Sequence, residues 1–178
     1  SWTSGQLNPD YYQDYATYFV KWIEAFRNEG IDIYSVTPQN EPLNRGNSAS
    51  LFMGWKEELA FVRDALGPAF KAAGLDFDHN YNYDNMADQQ QYPVKMYDDE
   101  VAAAFLTGAA YHNYGGRREE LNNIRQKRPD KELIFTETSI GMWNDGRNLE
   151  KRLMEDMREV ALGTVNNWCK GVIVWNLM

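Results

Sequence analysis

Residues 35–44 read SVTPQNEPLN and follow the apolar run Ile31-Asp32-Ile33-Tyr34. Two prolines, an amide pair and a carboxylate are crowded together as Pro38, Gln39, Asn40, Glu41 and Pro42. A short apolar run of this kind predicts a strand over residues 31–37. The loop that ends it brings Glu41 out at the strand tip, between Asn40 and Pro42. A solvated loop has no need of such crowding, whereas a working carboxylate needs fixed neighbours.

The same grammar recurs along the chain. Asn8-Pro9 opens a helix as cap and first-turn proline. Tyr11, Tyr15, Phe19, Trp22 and Phe26 then recur at helical spacing until Gly30. A second helix is predicted to start near Ser50 and to carry Leu51, Trp55, Leu59 and Val62. Gly67-Pro68 is expected to interrupt it, and Gly74 to end it. The rings of Trp22 and Trp55 fall at core spacing. A polar, tyrosine-rich loop follows, FDHNYNYDN at 77–85. Helices are predicted near 98–106, 119–128 and 149–165. Each leads into a short apolar stretch with a polar or aromatic tip: GAAYHNYGG at 108–116, ELIFTETS at 132–139 and KGVIVWN at 170–176.

Helix and strand alternate, and continuous apolar strands are buried on both faces, so an α/β fold with a parallel sheet is expected. The tips choose between its two architectures. Glu41, His79, His112, Glu137 and Trp175 follow different strands. A doubly wound sheet concentrates its site at one switch point, while a (β/α)8 barrel gathers residues from many strand ends. No glycine-rich phosphate loop is present. The barrel is the predicted fold.

Composition narrows the function classes. The 178 residues suffice for one medium domain, and 14% aromatics, with 6 Trp and 11 Tyr, exclude a disordered chain. Flat rings also suit the apolar faces of sugars. A net charge of −8 repels phosphate backbones and anionic lipid, so nucleic acid and membrane surfaces are poor partners. No apolar run approaches the roughly 20 residues of a membrane span. Ser1 does not begin a signal peptide and is not an initiator Met. Cys169, the single cysteine, excludes an internal disulfide.

Glu41 and Glu137 each sit at a strand tip in dense polar company. Glycoside cleavage requires two carboxyl groups facing each other across the bond: one protonates the leaving oxygen, the other attacks the anomeric carbon or activates water. The bland reading, strand-end glutamates pairing with arginine or capping a helix, fits the spacing as well. The local sequences weigh against it. VTPQNEP, DHNYNYDN, YHNYGG, FTETSIG and GVIVWNLM, in this order, resemble glycoside hydrolase family 30, a family of retaining β-glycosidases with (β/α)8 barrels that includes glucosylceramidases and β-1,6-glucanases.

The resemblance implies a glucosylceramidase-like retaining β-glycosidase acting on β-glucosidic bonds by double displacement, with Glu41 as acid/base and Glu137 as nucleophile. It implies that Asn40 binds the sugar 2-hydroxyl, that Asp78, His79 and Asn80 bond sugar hydroxyls, that His112 and Tyr114 contact sugar or hold the nucleophile, and that Trp175 floors the sugar subsite. Trp143, in a glycine-rich loop, is read as a wall of the aglycone side. Two histidines on separate strands do not suggest a metal site, and the implied chemistry requires no cofactor. The expected partner is a β-glucoside or β-glucan, and the expected location is secreted or periplasmic. The alternatives are an endo-β-1,6-glucanase or other β-glycanase of the same family, and a carbohydrate-binding fragment without turnover.

One departure from the family pattern bears on domain organisation. Residues 1–178 match the second half of the barrel, strands 4–8, with nothing for the first three strands or the family's β-sandwich side domain. The missing half is expected from the rest of the polypeptide. The stretch AAGLDFDHNYNY also has too few apolar residues for a barrel strand, so residues are expected to be missing between Asp76 and Phe77 or within a residue or two of that bond.

Overall fold

The computed structural model describes residues 5–46, 50–75, 81–86, 91–142 and 145–175, with backbone alone for 81–86 and 91. The chain forms two compact units, residues 1–83 with 95–107 and residues 84–94 with 108–178. The predicted break at 76–77 lies outside the described residues.

The first unit is built on helix α1, Tyr12–Asn28, entered through a 3-10 turn, Pro9–Tyr11. The Asn8 side chain accepts from the Asp10 N–H, as the cap signal predicts. Gly30, at φ 79°, turns the chain out of the helix in a conformation that favours glycine. Ala16 and Ile23 of α1 pack against Phe61, Ala65, Leu66 and Phe70. The Tyr12 and Tyr15 rings lie 5.5 and 5.3 Å from the Phe61 ring.

Three sequence expectations need correction here. Residues 31–37 form no ladder among the described residues: only Val36 makes a β-bridge, and Ile31 and Tyr34 are half exposed. Apolar content alone does not make a strand, which is defined by a bonded neighbour. The second helix starts later than Ser50, as α2, Trp55–Phe61. Residues 51–53 are instead tied extended, with Leu51 bridged to Gly5 and the Met53 N–H donating to the Pro42 carbonyl at 2.8 Å. Gly67-Pro68 does not interrupt the helix. A π-helical turn, Val62–Leu66, runs into α3, Gly67–Ala72; Pro68 has no N–H to give the Asp64 carbonyl four residues back, and that carbonyl accepts from the Gln13 side chain at 3.0 Å. Gly67 answers a close approach, since a Cβ there would lie 2.3 Å from the Phe105 ring.

The helix expected near 98–106 is α5, Glu100–Ala104, capped by Asp99, which accepts from the Val101 and Ala102 N–H groups; a further helix that the sequence reading did not place, α4, Gln91–Tyr97, precedes it. The stretch read as a polar loop contains strand β1, Tyr81–Met86. Its Tyr-Asn-Tyr alternation suits a strand, and polarity masked that signal.

The second unit holds the parallel strands β2, Gly108–Gly116, β3, Glu132–Glu137, and β4, Cys169–Val172. The sheet order is β1-β2-β3-β4. Helix α6, Glu120–Lys127, links β2 to β3. A longer run, α7 Leu149–Glu155, a π-helical turn Asp156–Ala161 and α8 Leu162–Val165, links β3 to β4. Ala109, Tyr111, Leu133 and Phe135 of the strands pack with Leu121, Ile124 and Val160 of the helices. Each fully buried Leu or Phe in this layer contributes about 1.5–3 kcal/mol. β2 and β3 approach so closely that a Cβ on Gly108 would meet the Glu132 carbonyl oxygen at 2.1 Å. Among the described residues no helix is long and apolar enough to cross a membrane.

Candidate functional site

Strand β3 ends in Glu137, and alternation along it puts Leu133 and Phe135 in the core layer with the helices. Strict alternation would send Glu137 there too. The register prevents it. Gly108 pairs with Glu132, Ala109 with Leu133, Ala110 with Ile134 and Tyr111 with Phe135, but His112 pairs with Glu137. Thr136 is the extra residue of a bulge, and a one-residue slip moves the following side chain to the opposite face. Glu137 thereby leaves the core face and comes level with His112.

Two side chains of β2 meet the carboxylate there. The Tyr114 phenol donates to Glu137 Oε1 at 3.1 Å. His112 Nε2 stands 3.5 Å from Glu137 Oε2, an ion-pair distance when the imidazole is protonated. The two carboxylate oxygens are thus served by different groups. His112 is buried and the Glu137 side chain is 14% exposed, so a phenol and an imidazole replace much of the water around this charge. The His112 and Tyr114 rings are perpendicular, with centroids 5.7 Å apart. Tyr114 Oη also lies 3.0 Å from Ser139 Oγ. The Trp175 N–H donates to the Thr138 carbonyl at 3.0 Å, which brings the exposed Trp175 beside the residue that follows Glu137.

Glu41 and Asn40 belong to the first unit. Glu41 is buried, and its Oε2 accepts from Asn44 Nδ2 at 2.7 Å. Its backbone has φ 47°, the left-handed region, which costs an L-residue about 1–3 kcal/mol. The loop around it is held by many bonds. Asn44 N–H donates to the Glu41 carbonyl at 2.9 Å, and Ser50 Oγ donates to the Asn40 carbonyl at 2.8 Å. The buried Gln39 amide donates to Ser50 Oγ and to the Asn40 carbonyl. Strain held in place by surrounding bonds marks a residue whose orientation the fold insists on. Beside this loop a cleft of about 450 Å³ is lined by Tyr15, Tyr18, Phe19, Trp22 and Asn40. Trp22 is therefore a wall of a cleft, in addition to packing on Phe26 at 4.6 Å.

The structure thus brings together Glu137, His112 and Tyr114, ties the Trp175 backbone to Thr138, and describes Glu41 with Asn40. Asp78, His79, Asn80 and Trp143 lie outside the described residues. Three residues around these carboxylates were not singled out by the sequence reading: Gln39, Asn44 and Ser139. Asn44 falls three residues after Glu41, the reach of a turn side chain, and that spacing could have identified it.

Chemically, Glu137 is an acceptor fixed by a phenol and an imidazole at a strand end. Glu41 is a largely desolvated carboxyl that accepts a hydrogen bond from the Asn44 amide. Comparison with known proteins gives this arrangement its context. Residues 2–178 match the profile of the glycosyl hydrolase family 30 TIM-barrel domain. The solved structure of the endo-β1,6-glucanase BT3312 superposes on the whole chain with a TM-score of 0.94 and 68% identity, covering 41% of that chain. Endo-1,6-beta-D-glucanase BGN16.3 of Trichoderma harzianum is 31% identical over 92% of this chain and 32% of its own length. Lysosomal acid glucosylceramidase of Mus musculus is 25% identical over 77% of this chain and 28% of its own length. The chain thus spans about a third of the length of these curated relatives. The strand-tip carboxylate Glu137, the parallel β/α layering and the match over residues 2–178 lead to one statement: the chain belongs to glycosyl hydrolase family 30, in its TIM-barrel domain.

Proposed function

We propose that the protein is a retaining β-glycosidase that cleaves β-1,6-linked glucan, with Glu137 as nucleophile and Glu41 as acid/base. The observation that carries this reading is the setting of Glu137: a carboxylate lifted off the core face by a bulge, with Tyr114 on one oxygen and His112 beside the other. Donors of this kind favour the ionised form, and a nucleophile must be ionised to attack. Glu41, buried in a strained loop, suits the partner that holds a proton near neutral pH and gives it to the leaving oxygen. In the first step Glu137 bonds to the anomeric carbon while Glu41 protonates the departing oxygen. In the second, Glu41 takes a proton from water, which displaces Glu137. Asn40 is assigned to the sugar 2-hydroxyl, and Asp78, His79, Trp143 and Trp175 to the remaining sugar contacts. Retention by this route requires the two carboxyl groups about 5–5.5 Å apart.

The preference for β-1,6 linkages is supported by the 68% identity to an endo-β1,6-glucanase over the full chain. A second reading, cleavage of glucosylceramide, is supported by the glucosylceramidase of Mus musculus at 25% identity. Rates on β-1,6-, β-1,3- and β-1,4-glucans and on glucosylceramide distinguish these, with Glu137→Ala as the blank. Release of soluble oligosaccharides from β-1,6-glucan alone is expected. Activity confined to glucosylceramide would select the second reading, and no turnover of any glucoside would remove both.

A further inference from the structure

We propose that Ser139 is a positioning residue for the Glu137 carboxylate: its hydroxyl donates to the Tyr114 phenol oxygen and so commits the single phenol proton to Glu137. The inference rests on the reading of Glu137 as an ionised nucleophile, and it follows from counting protons. A phenol has one O–H and spare lone pairs, a serine hydroxyl the same, and an ionised carboxylate only accepts. Tyr114 Oη stands 3.1 Å from Glu137 Oε1 and 3.0 Å from Ser139 Oγ, and in the second contact either atom could donate. If the phenol gave its proton to Ser139, its lone pairs would face a carboxylate oxygen at 3.1 Å with no hydrogen between. The arrangement that satisfies both contacts is a chain: Ser139 O–H to Tyr114 oxygen, Tyr114 O–H to Glu137. Bonds in such a chain polarise one another, so the serine strengthens the bond it does not itself make.

The position fits the task. Ser139 lies two residues beyond Glu137, just past the end of β3, and Tyr114 comes from β2. The strand that presents the carboxylate thus also presents the group that sets the donor's proton. His112 stands at the other oxygen and leaves this chain intact. The part of the Ser139 effect that passes through Tyr114 separates a positioning role from a merely structural one.

Two readouts test this in the protein expressed from its complete gene. The first needs no turnover. With tyrosines labelled at 13Cζ, the Tyr114 resonance is assigned by its loss in Tyr114→Phe and titrated with pH. Glu137 and His112, which stand beside the phenol, are both kept. Ser139→Ala removes a donor to the phenolate, so Tyr114 is expected to titrate at higher pH, while Ser139→Thr behaves as wild type. If the serine instead accepts from the phenol, the shift is downward, and a downward or absent shift overturns the proposal. Ser139→Cys, similar in size and a weak donor, repeats the test with the same expected direction if the alanine variant fails to fold. The second readout is a double-mutant cycle on an aryl β-glucoside. Ser139→Ala is expected to lower kcat/KM about tenfold when Tyr114 is present and less than about twofold in Tyr114→Phe. Equal losses in both backgrounds overturn the proposal. A wild-type protein that turns over no glucoside would defeat the proposed function, while the titration would still decide the role of Ser139.

Discussion

Glu137 points where the alternation of its own strand would not send it, and the cause is one residue, Thr136, that is skipped in the pairing with β2 although its hydroxyl donates to the Tyr111 carbonyl. The carboxylate itself stood out in FTETS, as Glu41 did in TPQNEP, because polar residues crowded behind an apolar run have little to do with packing. The bulge was not legible, since register is settled between two strands and neither sequence alone contains it. Asn44 was within reach of a spacing argument, whereas the Tyr114–Ser139 contact joins residues 25 apart and needed the fold. The assigned roles make opposite kinetic demands on the two glutamates. Glu137→Ala is expected to abolish turnover of every substrate. Glu41→Ala is expected to lose about 10²- to 10⁴-fold on substrates with poor leaving groups, while sparing the first step on a dinitrophenyl β-glucoside, which departs without a proton. Added azide should then release the sugar as its β-glycosyl azide. Equal losses in both variants that azide does not rescue would contradict the assignment.

At the scale of elements, the sequence spoke clearly where caps and close contacts act locally. Asn8-Pro9 opened a helix as expected, and 108–116 and 132–137 are strands. It misled where an element depends on a distant partner. Residues 31–37 have strand composition with no ladder among the described residues, and Tyr81–Met86 has a ladder position with loop-like polarity. Gly108 shows how tightly the β2–β3 pair is matched. A methyl group there would meet the Glu132 backbone oxygen, which cannot swing aside as a side chain can. Gly108→Ala is expected to destabilise the protein by about 1–3 kcal/mol, read as a lowered urea midpoint with unchanged slope. An unchanged midpoint would show the strands to be less closely apposed. Cys169, the first residue of β4, makes a second element-scale prediction. Burial pushes its thiol up to about 12, so almost no thiolate exists at pH 8. Alkylation by iodoacetamide at that pH should be slow in the native protein and fast in urea. Rapid native labelling would mean that β4 is not held in the sheet.

Over the whole molecule, the order of five motifs disclosed a family and a barrel, although the chain covers about a third of its curated relatives. The predicted 76–77 break rested on too few apolar residues for a strand, a signal that no described residue addresses. The acidic balance of the chain, with 26 Asp and Glu against 18 Lys and Arg, bears on its pH response. Arg128 bonds Asp130 and holds its carboxyl down from 3.8 to about 2, and Arg63 likewise lowers Asp64. A carboxyl lowered by folding stabilises the native state above its unfolded value, and that contribution fades as pH falls from about 4 toward 2. Burial raises Asp156, which works the other way and offsets part of the loss. The Tm is therefore expected to fall between pH 4 and pH 2, and Arg128→Ala to make the fall shallower; an identical profile would leave that pair without a role. The central claim is that Glu137 and Glu41 act as a double-displacement pair. Its most direct test is the anomeric configuration of the first sugar released from a β-glucoside by the complete protein, followed by 1H NMR before mutarotation. The β-anomer appearing first, with the α-anomer growing in later, is the predicted result; the α-anomer appearing first would mean a single inversion and contradict the assignment.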